Sequence, residues 1–165
     1  MIKVRQGVFE TNSSSTHSIC IAQTTDYIIP DKVSFGVGEF GWEVDKLSSL
    51  SEKASYLYTA IHTHSEYADS FMDQLKQYME ELGFSENEGT AEYDEIRLTE
   101  WGGFNGYIDH GDDTYDFVSY VLSSPDNLAA FLFSPLSFIL TGNDNCDISV
   151  DVDVDYPHIV FEKGN

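Results

Sequence analysis

Apolar and polar positions change their spacing along this chain, which indicates strands near both ends and helices in the middle. Short runs rich in β-branched and aromatic residues, bounded by turn residues, are typical of strands. The sequence therefore predicts strands at 3–9, 17–22, 27–29, 33–37, 137–141, 146–154 and 158–162.

Helical spacing of apolar residues begins near the middle of the first half. Ser49 followed by Glu52 is a capping box, so a helix is expected to start there. A second amphipathic stretch runs over 65–82 and should stop at Gly83. Further helices are expected over 114–123 and from Ser124 onward, where Pro125 suits the first helical position.

Strands at both ends around a helical middle predict an α+β fold. We expect a mixed or antiparallel sheet, built from the N- and C-terminal strands and packed with the central helical segment. A chain of 165 residues fits a single domain, here taken as 1–165.

The composition excludes some classes of function. The chain has 29 acidic and 8 basic residues and a formal net charge of -21. Direct binding of nucleic acid or of an anionic membrane needs clustered cations, so both are disfavoured. The 41% of apolar residues rules out a disordered chain, because enough apolar surface is available for a core.

The two cysteines and the polar start of the chain bear on localisation. Cys20 and Cys146 stand among apolar residues, which favours reduced, buried thiols. The polar run 10–18 breaks any signal-peptide core, and no window reaches the length of a membrane span. We expect a protein of the host-cell cytoplasm that does not enter a membrane.

Most of the negative charge lies in the second half, where residues 77–162 hold nineteen acidic residues and one basic residue. A first block of acids includes Glu86, Glu88, Glu92, Asp94 and Glu95. A second block is the predicted strand 146–154 and its end, where one face would carry Asp147, Asp151, Asp153 and Asp155 and the other would carry valines. The termini should then share one sheet, with Val150 and Val152 buried and Asp151 and Asp153 exposed.

Three uses of such a row of carboxylates are open. It is a solvated sheet face, a surface that imitates a phosphate backbone, or a site for a divalent cation. Asp151, Asp153, Asp155 and Glu162 match positions 1, 3, 5 and 12 of a calcium loop, but Tyr156 replaces the required glycine. No EF-hand is expected, and neither a metal nor another cofactor is predicted.

The polar loop 10–18 is the one candidate for catalysis. Ser13 or a neighbouring serine would be the nucleophile, with His17 as base and Glu10 orienting it. The same residues also suit a hydrogen-bonded turn or a contact to a ligand phosphate, because no nucleophile-elbow motif is present.

The aromatic turn near residue 104 has two interpretations. Trp101, Phe104 and Tyr107 lie among glycines at 102, 103 and 106. They form either a packed turn or an exposed anchor for another protein.

The N-terminal segment carries a resemblance. Residues 5–18 read Arg-Gln-Gly-Val-Phe-Glu-Thr-Asn-Ser-Ser-Ser-Thr-His-Ser. This resembles a group of proteins from phages and low-GC bacteria that share a Phe-Glu-Thr-Asn-Ser-Ser-Ser-x-His-Ser signature. The resemblance implies a phage or mobile-element origin but no particular activity. In composition alone, the acidic second half is similar to anti-CRISPR and anti-restriction proteins that mimic DNA.

The leading hypothesis is therefore a non-enzymatic, phage-type inhibitor. It would bind a basic nucleic-acid-handling host protein, such as a CRISPR effector or a restriction enzyme, and occlude its nucleic-acid groove. The alternative is an enzyme acting on a nucleotide or phosphoester through the loop 10–18. A third interpretation is an acidic interaction module without nucleic-acid mimicry.

Overall fold

The fold was analysed in a computed structural model, which describes residues 15–41, 45–109, 111–143 and 152–163. Within these ranges it is an α+β fold with strands from both ends of the chain, as the sequence predicts. The strands are β1 (Ser15–Ala22), β2 (Val33–Phe35), β3 (Glu39–Phe40), β4 (Asp45–Leu47), β5 (Ala91–Tyr93), β6 (Tyr107–Ile108), β7 (Phe138–Asn143) and β8 (His158–Lys163). The helices are α1 (Leu50–Thr63), α2 (Ala68–Glu81), α3 (Tyr115–Val121) and α4 (Pro125–Phe133), with a 3-10 turn at Gly111–Thr114.

The largest sheet has four antiparallel strands in the order β4-β7-β1-β8. Strand β1 lies inside this sheet, and Ile19 is paired with Ile139 of β7 on one side and Phe161 of β8 on the other. Strands from the two ends of the chain therefore pair directly, which confirms the prediction that the termini share one sheet.

Helix α1 occupies the centre of the molecule. Its N-cap is Ser49, and Glu52 completes the predicted capping box. Eight residues of α1 between positions 53 and 61 are buried, among them Tyr56, Leu57 and Ile61. They are buried because the helix contacts β2, β6, α2, α3 and α4. Its remaining surface is polar, because Ser51 is exposed and Ser55 and His62 are only partly buried.

Helices α2 and α4 each show a predicted signal at one end, although α2 begins at Ala68 rather than near residue 65. Helix α2 stops before Gly83, whose φ of 98° is a left-handed conformation that glycine adopts without strain. Helix α4 has Ser124 as N-cap, and the Ser124 side chain accepts a hydrogen bond from the backbone N–H of Asn127. Leu128, Phe131 and Leu132 of α4 join the core.

Two parallel strand pairs flank the main sheet. Strand β2 pairs with β5, and β3 pairs with β6. The β2–β5 pair sets Phe35 opposite Tyr93 and packs on α1, so it brings distant parts of the chain together.

Some predicted strands differ in the structure. Residues 27–29 form no strand, and Ile28 projects into solvent with 89% exposure. Residues 152–154 are not a strand either. Asp153, which was predicted to stand on a β-strand, therefore lies on irregular backbone. Val152 there is only half-buried, whereas Asp153 is exposed as predicted. The predicted strand 3–9, together with Asp147, Val150 and Asp151, lies outside the described residues.

Two further findings concern the thiol and the membrane. Cys20 is fully buried on β1 and forms no disulfide within the described ranges. Among the described residues, no helix has the length and apolar character that crossing a bilayer requires.

Candidate functional site

An open groove beside the β2–β5 pair gathers part of the predicted acidic surface. We call it the acidic groove; its volume is about 700 Å³. Three carboxylates predicted to bind a partner line it: Glu86, Glu92 and Asp94. The remaining lining residues are Ser34, Phe35, Gly36, Val37, Ser51, Ser55, Gly89, Ala91 and Tyr93.

The floor of the acidic groove is aromatic. Phe35 and Tyr93 are stacked with ring centroids 5.3 Å apart and an angle of 6° between the ring planes. Their position follows from the register of the parallel strands, which sets Ser34 opposite Glu92 in the same way. Because side chains alternate along a strand, Phe35 turns into the core while Ser34 and Glu92 remain exposed.

Lysines of the protein itself already show how the groove holds a cation. Lys76 Nζ lies 4.9 Å from the centre of the Tyr93 ring and 3.3 Å from a carboxylate oxygen of Glu86. Lys32 Nζ lies 2.7 Å from Glu92, whose pKa is lowered chiefly by the hydrogen bond from this lysine. Exposed pairs of this kind contribute at most about 1 kcal/mol, so another cation can displace them at little cost.

Asp94 has no such partner among the described lysines and arginines. Its carboxylate lies against the backbone of Gly36, where a Cβ atom would approach Asp94 Oδ2 to 2.9 Å. Its backbone is fixed from both sides, because Asp94 N–H donates to Phe35 O and the Tyr58 hydroxyl donates to Asp94 O. Asp94 is therefore an exposed carboxylate on a rigid support.

The carboxylates of the groove act on the pKa values of the neighbouring tyrosines, in addition to the larger effect of burial. Burial first, and then the charges of Asp94 and Glu86, raise the pKa of Tyr58 to about 12. The pKa of Tyr93 is also raised, first by burial and then by Glu86 and Glu80. Of these causes only the carboxylate charges favour a bound cation, because burial disfavours a charge of either sign.

The other described acids predicted for partner binding do not line the groove. Glu88 and Glu95 are exposed, and Glu95 is 3.9 Å from Arg97 Nε. Asp153 and Asp155 are exposed on an irregular segment before β8. Asp147 and Asp151 lie outside the described residues. Of the first predicted patch, the structure brings together Glu86, Glu92 and Asp94.

Of the three residues predicted for catalysis, the structure describes only His17, because Glu10 and Ser13 lie outside the described residues. His17 is 1% exposed, and its Nδ1 is hydrogen-bonded to the Tyr56 hydroxyl at 2.7 Å. It lines neither the acidic groove nor the cavity of about 370 Å³ between the end of β1 and α4. In the described structure His17 is thus a core residue, and the catalytic role of the loop stays a prediction.

Sequence reasoning missed the aromatic floor and the two lysines that pair with carboxylates of the groove. Phe35 and Tyr93 are 58 positions apart, and no local sequence pattern predicts that β2 and β5 pair in parallel. The one available signal was that Tyr93 stands between Glu92 and Asp94, an aromatic residue within an acidic run.

No group of three or more histidines, cysteines and carboxylates within the described ranges is placed to hold a metal ion. Comparison of the chain with protein-family models, with curated proteins and with solved structures gives no match.

Proposed function

We propose that this protein is an acidic, phage-type inhibitor that binds a basic nucleic-acid-handling protein and occludes its nucleic-acid groove. A CRISPR effector or a restriction enzyme is the expected kind of target. The observation that carries the proposal is the acidic groove, in which Glu86, Glu92 and Asp94 share one surface over an aromatic floor.

The arrangement suits the side chains that normally hold phosphates. Arginine and lysine of a nucleic-acid-binding surface pair with phosphate oxygens, and carboxylates on a rigid support offer the same charge-assisted contacts. The guanidinium of arginine also stacks on aromatic rings, and the Tyr93 ring already has the Lys76 ammonium over its face. The net charge of -21 adds long-range attraction that raises the association rate with a basic partner.

The enzyme alternative has less support from the described geometry. A general base must reach the proton that it removes, and His17 is buried and engaged with Tyr56. The variant His17→Ala is a poor test, since removing a core side chain lowers stability whatever the function. Ser13→Ala is the informative variant for the enzyme hypothesis.

The test is inhibition of DNA cleavage by a purified type II CRISPR effector and, separately, by a restriction endonuclease. The groove variant carries Glu86→Gln, Glu92→Gln and Asp94→Asn together. The matched control carries Glu66→Gln, Asp69→Asn and Asp73→Asn, which removes the same charge from exposed acids on and before α2.

We expect the groove variant to lose at least tenfold in inhibition while the control variant stays close to wild type, because close contacts matter more than net charge. Inhibition by wild type should also weaken with salt, since the screening length contracts from about 10 Å at 0.1 M to about 3 Å at 1 M. Equal losses in both variants would contradict the assignment to the groove. Absence of inhibition in both assays, or its loss in Ser13→Ala alone, would contradict the proposed function.

A further inference from the structure

The turn that joins β5 to β6 presents an indole ring to solvent. Trp101 is 94% exposed, and Leu98, three positions earlier in the same turn, is 82% exposed. Trp is usually buried over much of its surface, so a Trp this exposed on a regular turn points to an interaction site. Of the two interpretations open from the sequence, Trp101 fits the exposed anchor rather than the packed turn.

The segment 98–104 is a closed hairpin. Leu98 and Phe104 form an antiparallel bridge, and Thr99 N–H donates to Gly103 O at 2.8 Å. Gly102 N–H donates to Thr99 O, and the φ of Gly102 is 81°, a left-handed conformation that suits glycine. Trp101 therefore stands at the tip of a turn whose backbone is hydrogen-bonded across its base.

The base of the hairpin is fixed to the body of the protein. The Asn105 side chain accepts from Arg97 N–H at 3.0 Å and donates to Glu95 O at 3.4 Å. The Phe104 ring packs against His62 of α1 with centroids 6.0 Å apart. An anchor held in this way loses little conformational entropy when it binds, which is the advantage of a pre-organised contact.

The charges around Trp101 restrict what can cover it. Asp94, Glu95 and Glu100 are exposed beside the hairpin, and Arg97 is the one neighbouring cation in residues 94–104. A second copy of the chain would bring another charge of -21 close to these carboxylates, and an anionic bilayer would repel them in the same way. Charge complementarity therefore favours a basic partner.

We propose that Trp101 and Leu98 are the anchor of a docking surface for a partner protein with an apolar pocket rimmed by lysine or arginine. The indole fills the pocket, and Glu95 and Glu100 pair with the rim. Trp is a residue that often dominates binding energy at interfaces, with acids around it excluding water and selecting the partner. This docking surface goes beyond the proposed function, because it requires no nucleic-acid groove in the partner.

The experiment selects binders from a random peptide library displayed on phage, using the immobilised full-length chain. Synthetic versions of the enriched peptides are then titrated against wild type, Trp101→Ala and the control Ile28→Ala. Ile28 is a matched control because it is also an apolar side chain, 89% exposed, on another loop. The unfolding temperature of each variant is measured first, and neither substitution is expected to change it.

We expect enriched peptides that combine aromatic or aliphatic residues with lysine or arginine. They should bind Trp101→Ala at least about 30-fold more weakly than wild type, which corresponds to about 2 kcal/mol at a hot spot, and bind Ile28→Ala unchanged. Binding should shift the tryptophan emission of wild type to shorter wavelength, and Trp101→Ala should lack the shift.

Three results would overturn the proposal. The first is that no peptide is enriched, or that the enriched peptides bind Trp101→Ala as well as wild type. The second is self-association of wild type that Trp101→Ala abolishes, which would assign the anchor to a second copy. The third is an emission shift with phosphatidylcholine vesicles, which would assign it to a membrane surface. None of these results depends on the nuclease assays, so failure here and failure of the proposed function are distinguishable.

Discussion

Nδ1 of His17 on β1 lies 2.7 Å from the hydroxyl oxygen of Tyr56 on α1, and both side chains are buried. This hydrogen bond ties the central strand of the main sheet to the central helix. Burial holds the pKa of Tyr56 far above its usual range, so the phenol keeps its proton and remains a neutral bonding partner. A histidine that the sequence offers as a base is thereby part of the core.

Tyr56→Phe should lower the free energy of unfolding by about 1–3 kcal/mol, because it leaves a buried polar atom of His17 without this partner. A double-mutant cycle with His17→Phe, followed by urea unfolding, should give a coupling energy of about 0.5–3 kcal/mol. Tyr120→Phe is the control, since its hydroxyl makes no hydrogen bond to the described residues. A coupling energy of zero would show that the two residues contribute to stability independently.

Because Lys53 is buried, we expect the stability of the protein to depend on pH in an unusual way. Lys53 is 1% exposed, donates from Nζ to Ser134 O at 2.7 Å at the end of α4, and forms no ion pair with a described carboxylate. Burial lowers its pKa to about 8. Because the unfolded chain then binds more protons than the folded chain above pH 8, this lysine makes stability rise with pH.

Between pH 8 and pH 9.5, Lys53 should add about 1–2 kcal/mol to the free energy of unfolding of wild type, and Lys53→Met should lack this gain. Urea unfolding of both proteins over this pH range measures the difference. Cys20, whose pKa burial raises, contributes a slope of the opposite sign in both proteins, so the difference isolates Lys53. Ser134 O retains a hydrogen bond from Ser137 N–H in the variant, which limits the damage. Identical pH profiles for the two proteins would refute a lowered pKa for Lys53.

Gly106 leaves no room for a side chain. A Cβ atom there would lie 2.7 Å from Phe104 Cε2, 2.9 Å from Val37 Cβ and 3.2 Å from Thr59 Cγ2. Gly106→Ala should therefore cost about 1–3 kcal/mol through overpacking, seen as a lower unfolding temperature. Gly103→Ala meets its nearest atom, Thr99 Oγ1, only at 3.3 Å and should cost less. Equal effects at the two glycines would contradict this account of the hairpin base.

The capping box of α1 makes stability sensitive to acid. Glu52 Oε2 accepts hydrogen bonds from the backbone N–H groups of Ser48 and Ser49, both at 2.9 Å, and the bond from Ser49 is the main cause of its lowered pKa. A carboxyl group with a folded-state pKa below its unfolded value contributes stability above the unfolded pKa of about 4.3 and loses it as pH falls further.

Ser49→Ala should cost about 1 kcal/mol at pH 7, because the N-cap hydroxyl no longer accepts from Glu52 N–H. Glu52→Gln should flatten the loss of stability between pH 5 and pH 3, measured by thermal unfolding. Ser51→Ala, at an exposed serine in the first turn of the helix, is the control; it should not lower stability at pH 7, because alanine is the better helix former, and should leave the acid profile unchanged. If Glu52→Gln loses as much stability as wild type between pH 5 and pH 3, the Glu52 carboxylate is not the source of that loss.

The sequence by itself determined the elements whose signals lie within a few residues of one another. The capping box at Ser49, the proline at 125 and the glycine at 83 mark helix ends, because each acts on backbone groups of its own turn. The α+β class followed from the strands at both ends, and exposure of Glu86, Glu92 and Asp94 followed from their charge.

Only the tertiary structure decided which of these residues meet. The acidic groove exists because β2 and β5 pair in parallel across 58 positions, and the His17 ring is buried where it meets Tyr56 of α1. The absence of a strand at 152–154 and the exposure of Trp101 are likewise outcomes of packing. Such contacts join segments far apart in the chain, and their free energies depend on neighbours that no local pattern contains.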